Sequence, residues 1–280
     1  MSKQSSKPTK ESLLTFFVLV YALSVPFWLI SFLTKNTGLP LDIPIGDIGA
    51  AFTPLAAAYI IAWRQNGARA AKALLGRLGD VRKLSVRSLL AVITVPSAVY
   101  AATYAALEML GYGVPSGAGI TFAGVLLLLG FFYAGAIGEE AGYTAYAADK
   151  ALARFGSLQT ALLIGTPWAL WHVPSMLVQG RTLSWIAWGV GGTIAVRYIY
   201  VRLYQTSGGC VSAVLFMHVL FNLGRVLFPH SDSAEPLVEH AAVYYPVIAL
   251  AALAFGILLR ARPKLLGATT RHSLMTKMTK

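Results

Sequence analysis

The chain carries eight apolar stretches, each about as long as an α-helix must be to cross the hydrocarbon core of a membrane. A helix needs about 17–25 mostly apolar residues for this, because it rises about 1.5 Å per residue across roughly 30 Å of hydrocarbon. No segment alternates with period two between turn signals, and a backbone in lipid must satisfy its own hydrogen bonds. We therefore predict an all-α polytopic membrane protein with about eight transmembrane helices in one bundle. The predicted spans are 12–33, 48–63, 88–110, 119–137, 158–178, 185–203, 209–228 and 241–259.

Composition supports this interpretation and excludes other classes of protein. Of the 280 residues, 56% are hydrophobic and 12% are charged, whereas a soluble domain has roughly 45–50% and about 25%. A hydrophobic fraction this high excludes a disordered chain. Cys210 is the only cysteine, so the chain has no internal disulfide framework. We predict one membrane domain over 1–280, with polar, basic tails at 1–10 and 263–280.

The charges fall into alternate loops, which predicts the orientation of the bundle. Cytoplasmic loops of membrane proteins carry the excess of lysine and arginine. One predicted side holds Lys3, Lys7, Lys10, Arg64, Arg69, Lys72, Arg77, Arg82, Lys83, Arg87, Lys150, Arg154, Arg197, Arg202, Arg260, Arg262, Lys264, Arg271, Lys277 and Lys280. The other side holds Lys35, Arg181 and Arg225 together with Asp42, Asp47, Asp232, Glu235 and Glu239. We expect an integral protein of a prokaryotic plasma membrane with both termini and the basic 64–87 loop cytoplasmic, and a net charge of +12 that serves lipid and not nucleic acid.

A few polar side chains lie inside the predicted spans. Glu139 and Glu140 end the fourth span, His172 lies in the fifth, and His218 and Asn222 lie in the seventh. An ionisable group within a membrane helix costs roughly 2.5–3.5 kcal/mol, so each one is a functional hypothesis. Residues four apart share a helical face while adjacent residues point about 100° apart. His218 and Asn222 should therefore face one way, and the two glutamates should face different ways.

Small residues and prolines accompany these polar groups. Gly138 and Gly142 flank the glutamates, and Pro167 and Pro174 flank the histidine of the fifth span. Glycine lets two backbones approach closely, and proline removes a hydrogen-bond donor and interrupts a helix. Membrane helices tolerate such breaks where they line a cavity. The pattern predicts a close helix contact and local helix breaks beside a polar cavity.

Two histidines, a glutamate and an asparagine in a low-dielectric site suit the hydrolysis of an amide by water. A carboxylate and an imidazole can take a proton from the water, and a second imidazole and an amide can donate to the developing oxyanion. The same side chains offer a second interpretation, in which Glu139, His172 and His218 hold a catalytic Zn²⁺. The sequence contains no HExxH motif, so the metal and the identity of the basic glutamate both stay open.

These residues resemble the motifs of the CAAX protease and bacteriocin-processing family (CPBP, also called ABI). This family consists of intramembrane metalloproteases related to type II CAAX prenyl endopeptidases, and the resemblance covers residues 122–227. The first family motif is a glutamate pair, three intervening residues and an arginine. Glu139 and Glu140 match it, with Thr144 at the arginine position.

The other two motifs follow in the same order along the chain. The second is an aromatic residue, three intervening residues and a histidine, matched by Trp168 and His172 with tryptophan in place of the usual phenylalanine. The third is a histidine, three intervening residues and an asparagine, matched by His218 and Asn222. Each motif alone is common, but the ordered set inside membrane spans is fairly specific.

The resemblance implies a role for each matched residue. Glu139 and His172 would activate the attacking water, His218 and Asn222 would stabilise the tetrahedral intermediate, and Glu140 would support the site. It also implies an eight-helix bundle that opens toward the cytoplasmic side and cleaves a peptide bond near the cytoplasmic leaflet. The expected partner is a peptide or protein substrate, prenylated in some members, and no cofactor other than Zn²⁺ is implied.

The residue at the family's arginine position bears on the expected activity, and two alternative functions stay open. If the family arginine orients the second glutamate, Thr144 leaves Glu140 without an obvious cationic partner, and reduced or altered activity follows. A proteolytically silent immunity or partner-binding membrane protein would carry the same motifs. A proton-coupled transporter would also use intramembrane glutamate and histidine, although the eight spans show no inverted repeat.

Overall fold

The computed structural model describes residues 10–34, 43–111, 120–227 and 241–261, and within these ranges every regular element is a helix. A π-helical segment, Ala141–Ala148, continues the fifth helix, and two 3-10 turns, Arg77–Gly79 and Val81–Lys83, follow the third. The all-α polytopic prediction is confirmed. The α-helices are α1 (Lys10–Thr34), α2 (Ile45–Ala50), α3 (Thr53–Gly76), α4 (Val86–Met109), α5 (Phe122–Glu140), α6 (Asp149–Leu152), α7 (Ser157–Trp171), α8 (Val173–Val178), α9 (Leu183–Thr206), α10 (Val211–Leu227) and α11 (Ala241–Ala261).

Eight of these helices are long and correspond in order to the eight predicted spans. Six helical segments in the described ranges are long and apolar enough to cross a membrane: Leu13–Thr34, Ile45–Gly79, Val86–Met109, Phe122–Leu152, Ser157–Val178 and Ala241–Leu258. Helix α10 is a shorter apolar helix of 17 residues. Helix α9 has 24 residues but carries Arg197 and Arg202. The predicted tails, except for Lys10, and the outer charges at 35, 42, 232, 235 and 239 lie outside the described residues.

The second predicted span, 48–63, ends too early and contains a break between two helices. The chain forms the short helix α2 first and starts α3 at Thr53, because Pro54 has no N–H to donate back to Ala50. The Thr53 hydroxyl donates to the Ala50 carbonyl instead, over 2.8 Å. Helix α3 then continues far beyond residue 63, so much of the predicted 64–87 loop is helical. Its residues are rich in alanine, arginine and lysine, which favour helix, and Gly67 interrupts it with a positive φ of 74°.

The fifth predicted span, 158–178, is also divided, and the division falls at His172. Helix α7 ends at Trp171 and α8 begins at Val173. Pro174 accounts for the break, since its ring collides with the carbonyl four residues earlier and it has no N–H. The break predicted at Pro174 is confirmed. Pro167, in contrast, lies inside α7 without ending it, so the second predicted break is wrong.

The close approach predicted from the glycines is present between α5 with its π-helical continuation and the start of α3. A Cβ atom on Gly138 would lie 2.3 Å from the Ala51 carbonyl oxygen, and one on Gly142 would lie 2.6 Å from Pro54. Only glycine lets these backbones meet at this distance. Helix α10 packs on the other side of α5, and α9 packs between α7 and α11. The glutamate pair is thereby held deep inside the bundle.

Candidate active site

The two adjacent glutamates occupy different environments, as their helical spacing predicts. Glu139 is 8% exposed and lines an internal cavity, whereas Glu140 is 0% exposed and does not reach the cavity. The π-helical segment begins directly after them and all eight of its residues are buried. Such segments widen the helix by one residue per turn and are frequent at functional sites.

Glu140 is surrounded by hydrogen-bond donors. Arg197 donates from Nη1 to Oε2 over 2.9 Å and from Nη2 to Oε1 over 3.2 Å. The Thr144 hydroxyl donates to Oε2, and His218 donates from Nδ1 to Oε1 over 2.9 Å. Both lone-pair regions of the carboxylate are therefore in use, and the group is held by a two-pronged ion pair of the kind that only arginine makes.

The expectation that Thr144 leaves Glu140 without a cationic partner is therefore wrong. The cation comes from α9, where Arg197 is 1% exposed and ion-paired with Glu140. Its guanidinium also lies 3.9 Å from the ring centroid of Trp168. The sequence analysis counted Arg197 among the cytoplasmic-side charges, which is also wrong. Its signal was present in the sequence, because it stands between the apolar runs 194–196 and 198–201, where an arginine needs a buried partner.

Glu139 faces the fifth predicted span. Trp168 donates its indole N–H to Glu139 Oε2 over 2.6 Å, and His172 Nε2 lies 3.9 Å from the same oxygen. His172 Nδ1 is 2.7 Å from the Trp168 carbonyl oxygen, which can only accept, so Nδ1 carries a proton there. In the neutral ring Nε2 is then the acceptor, and it points toward the carboxylate.

His218 and Asn222 lie on one face of α10 and both line the cavity. His218 is 4% exposed. Because Glu140 engages its Nδ1, the ring orientation of His218 is set from outside the cavity. The Trp168 indole lies edge-on to both histidines, with ring centroids 5.3 Å from His172 and 5.7 Å from His218. The structure thus brings Glu139, His172, His218 and Asn222 to one cavity and places Glu140 directly behind it.

The cavity has a volume of about 810 Å³ and is lined largely by aromatic and aliphatic side chains. It extends from Glu139 to one end of the bundle, where Asp47, Gln179 and Arg181 also line it; we call this end the cavity end. Asp47 is tied there to α8, because it accepts a hydrogen bond from the Ser175 hydroxyl. The sequence analysis missed these cavity residues, since a loop acid and an interfacial arginine carry no local sign of a shared site.

Residues 120–224 match the family model of the Rce1-like type II CAAX prenyl endopeptidases. The match includes all three motifs and is consistent with the resemblance drawn from them, so it supports a CAAX-type intramembrane endopeptidase at the level of the family. A comparison with curated proteins gives no match.

The end of the bundle opposite the cavity end holds a charged network. Arg77 forms a 2.6 Å ion pair with Asp149 and also donates to the Tyr204 hydroxyl, which donates to Asp149. We call this the basic end, because α3 reaches it through its run of arginine and lysine residues. The cavity is lined by none of these residues. The charged network and the cavity thus lie at different ends of the described helices.

The sequence also offered Glu139, His172 and His218 as ligands of a catalytic Zn²⁺. In the part of the chain that the structure describes, no group of three histidine, cysteine, aspartate or glutamate side chains is arranged to hold a metal ion. Of the predicted ligands, Glu139 accepts from Trp168 on Oε2, and His218 is held by Glu140 through Nδ1. The site is accordingly interpreted from its own acids, bases and hydrogen-bond donors.

Proposed function

We propose that the protein cleaves a peptide bond inside the membrane by attack of a water molecule that Glu139 and His172 activate. The observation that carries the proposal is the gap of 3.9 Å between Glu139 Oε2 and His172 Nε2 at the wall of the cavity. Both atoms are acceptors, so one water molecule can donate a hydrogen to each and keep a lone pair free. That lone pair is the nucleophile.

The reaction balances with the side chains at this wall. The water oxygen forms a bond to the carbonyl carbon of the substrate while Glu139 takes the water proton. When the tetrahedral intermediate collapses, the C–N bond breaks and Glu139 returns the proton to the departing amine nitrogen. The products are a carboxyl group and an amine, and the site is restored. No oxidant, reductant or other reagent is needed.

The developing oxyanion would lie near α10. His218 and Asn222 both line the cavity beside Glu139. The Asn222 amide can donate to that oxygen, and so can His218 through Nε2 when its ring carries both protons, because Nδ1 already donates to Glu140. Preorganised donors of this kind typically contribute about 3–4 kcal/mol each to the stability of the transition state. We assign Glu140 a positioning role, because it is sealed from the cavity and holds the His218 ring while Arg197 holds it in turn.

We also propose which side the substrate comes from. The basic end carries the arginine and lysine residues of α3 and is assigned to the cytoplasm, together with both termini, by the positive-inside rule. The cavity then opens toward the external side, and this replaces the expectation of cleavage near the cytoplasmic leaflet. A peptide or protein with an apolar membrane segment or a lipid group fits a cavity lined mostly by aromatic and aliphatic side chains.

Cleavage of a quenched prenylated peptide by the protein in lipid nanodiscs tests the activity. The wild type is expected to cleave it, and Glu139→Gln, His172→Ala and His218→Ala are expected to abolish cleavage. Glu108→Gln is the matched control, because this glutamate is exposed near the end of α4, away from the cavity. A cellular phenotype that survives Glu139→Gln and His172→Ala would instead favour the silent partner-binding protein, and ion flux without any cleavage would favour the transporter.

Cysteine accessibility tests the orientation. Cys210 is the only cysteine and is replaced by serine, after which Leu183→Cys marks the cavity end and Val86→Cys marks the basic end. These two side chains are similarly exposed, at 81% and 74%. A membrane-impermeant maleimide should label the Leu183→Cys variant on intact cells and the Val86→Cys variant only after permeabilisation. The reverse pattern would return the cavity to the cytoplasmic side.

A further inference from the structure

His172 lies at the junction of two helices, and its position depends on both of them. Toward α7, the ring donates from Nδ1 to the Trp168 carbonyl oxygen over 2.7 Å. Toward α8, the His172 carbonyl oxygen accepts from the Met176 backbone N–H over 3.1 Å. A displacement of α8 therefore moves His172 and changes the 3.9 Å gap to Glu139 in which the proposed water lies.

Helix α8 is too short to hold its position alone. It has six residues, of which only Met176 is buried, whereas isolated helices shorter than about 12–15 residues are marginal in water. Its place is therefore set by contacts with other helices. One polar contact comes from a distant part of the chain, because the Ser175 hydroxyl donates to Asp47 Oδ2 of α2. Ser175 follows His172 by three residues, which is almost one helical turn.

The helix that carries Asp47 is itself fixed by close packing against α1. A Cβ atom on Gly46 would lie 2.0 Å from the Phe27 carbonyl oxygen, and one on Gly49 would lie 2.2 Å from the Phe27 ring. Only glycine at these two positions lets α2 approach α1 this closely. Asp47 lies between the two glycines, so its carboxylate is held in place to accept the hydrogen bond from Ser175.

We propose that Asp47 is a positioning residue, which holds α8 through Ser175 and thereby keeps His172 at a distance from Glu139 that one water molecule can bridge. Asp47 lies outside residues 120–224, the region that matches the family model. The first two helices of the chain thus support a site whose reacting groups all lie in the matched region. The inference rests on the proposed endopeptidase function.

A direct contact with the substrate is the competing role of Asp47. Its side chain lines the cavity, together with Glu139, Arg181 and Arg225, so a charged group of the substrate could reach it. The two roles differ in their kinetics. Loss of a substrate contact raises KM, whereas loss of positioning lowers kcat because the reacting groups no longer meet in the required geometry.

Peptide cleavage by variants of the two partners in nanodiscs tests this role. Asp47→Ala and Ser175→Ala should each lower kcat by roughly 10–100-fold with KM nearly unchanged, because a misplacement of about 1 Å costs about 10²-fold. The double variant should lose no more than either single variant, since both changes remove the same hydrogen bond. Asp47→Asn should keep most of the activity, because its amide oxygen can still accept from Ser175. Asp80→Ala, which removes a carboxylate paired with Lys83 away from the cavity, is the matched control.

Hydrogen exchange of the same proteins reports on α8 without any need for cleavage. The backbone amides of 176–179 should exchange about tenfold faster in Asp47→Ala and Ser175→Ala than in the wild type, while those of α10 stay unchanged. If Asp47→Ala does not fold, Ser175→Ala carries the test, because it removes a single oxygen atom.

Unchanged exchange in α8 or additive losses in the double variant would overturn the proposal. A rise in KM at constant kcat would also overturn it and would make Asp47 a contact of the substrate. Faster exchange in α8 together with a wild type that cleaves no peptide would support the hold of Asp47 on α8 and contradict the proposed function, so the two failures are distinguishable.

Discussion

Glu139 and Glu140 are neighbours in the chain, and their surroundings are opposite. Glu139 faces a cavity of about 810 Å³ and has one indole donor on Oε2. Glu140 is sealed from that cavity and is held by Arg197, Thr144 and His218. A carboxylate with every lone pair engaged cannot accept a proton from water without breaking a buried ion pair. In the proposed function this difference divides the work of the pair: Glu139 reacts with the water, and Glu140 positions the His218 ring.

The largest effect is expected from removing the carboxylate on the cavity side. Glu139→Gln keeps the size of the side chain and its acceptor for Trp168 but removes the base. We expect kcat to fall by about 10²–10⁴-fold with little change in the thermal stability of the protein in detergent. Peptide cleavage and thermal unfolding of the same preparations measure both quantities. Cleavage within tenfold of the wild type would show that another group activates the water.

Removing the cation beside Glu140 should first reduce the thermal stability of the protein. Arg197→Met leaves the Glu140 charge buried without its cation, which typically costs about 3–5 kcal/mol of unfolding free energy. Thermal unfolding in detergent, with activity measured below the transition, checks this result. Thr144→Arg on the same background should restore part of the stability and activity, because the Thr144 side chain already contacts the Glu140 carboxylate.

A double variant tests whether Glu140 and Arg197 act by packing in the core or by positioning His218. Glu140→Leu with Arg197→Met replaces a buried ion pair by apolar groups of similar volume, which is often neutral or stabilising. We expect this protein to remain folded but to be inactive, because His218 loses the acceptor of its Nδ1 proton. Full activity in the double variant would reduce the network to a structural role.

A smaller effect is expected from replacing Trp168, whose indole contacts both Glu139 and the Arg197 guanidinium. Trp168→Phe removes the N–H that donates to Glu139 over 2.6 Å and keeps an aromatic ring between the histidines. A hydrogen bond to a charged group is worth about 1.5–3 kcal/mol, so kcat should fall by about tenfold or more. Trp171→Phe is the control, because its indole donates to Ser24 and not to a carboxylate. Equal rates for the two variants would remove Trp168 from the site.

The smallest effect is expected from a metal chelator. The described side chains around Glu139 and His172 include no set of three metal ligands, and the proposed water is held by the protein alone. Cleavage in nanodiscs should therefore keep its rate after treatment with a zinc chelator and dialysis. Loss of cleavage that Zn²⁺ alone restores would overturn this proposal and return Glu139, His172 and His218 to the role of ligands.

Much of this architecture could be predicted from local pattern. Long apolar runs predict membrane helices because lipid allows few other folds, and the eight long helices follow the predicted order. Gly138 and Gly142 predicted a close backbone contact, since a missing Cβ is visible in the sequence, and the structure places that contact against the start of α3. The helix ends were less predictable. Pro54 and Pro174 begin new helices while Pro167 does not, because neighbouring segments decide whether the lost hydrogen bond can be tolerated.

The sequence by itself determined that the chain is a helical membrane protein whose candidate site residues lie on the fourth, fifth and seventh spans. These properties depend on hydrophobic length and on spacing along one helix, and both are local. Only the tertiary structure decided which glutamate faces the cavity, that Arg197 of α9 takes the place left by Thr144, and toward which end the cavity extends. Each of these depends on pairs of residues far apart in the chain, and their distances exist only once the helices have packed.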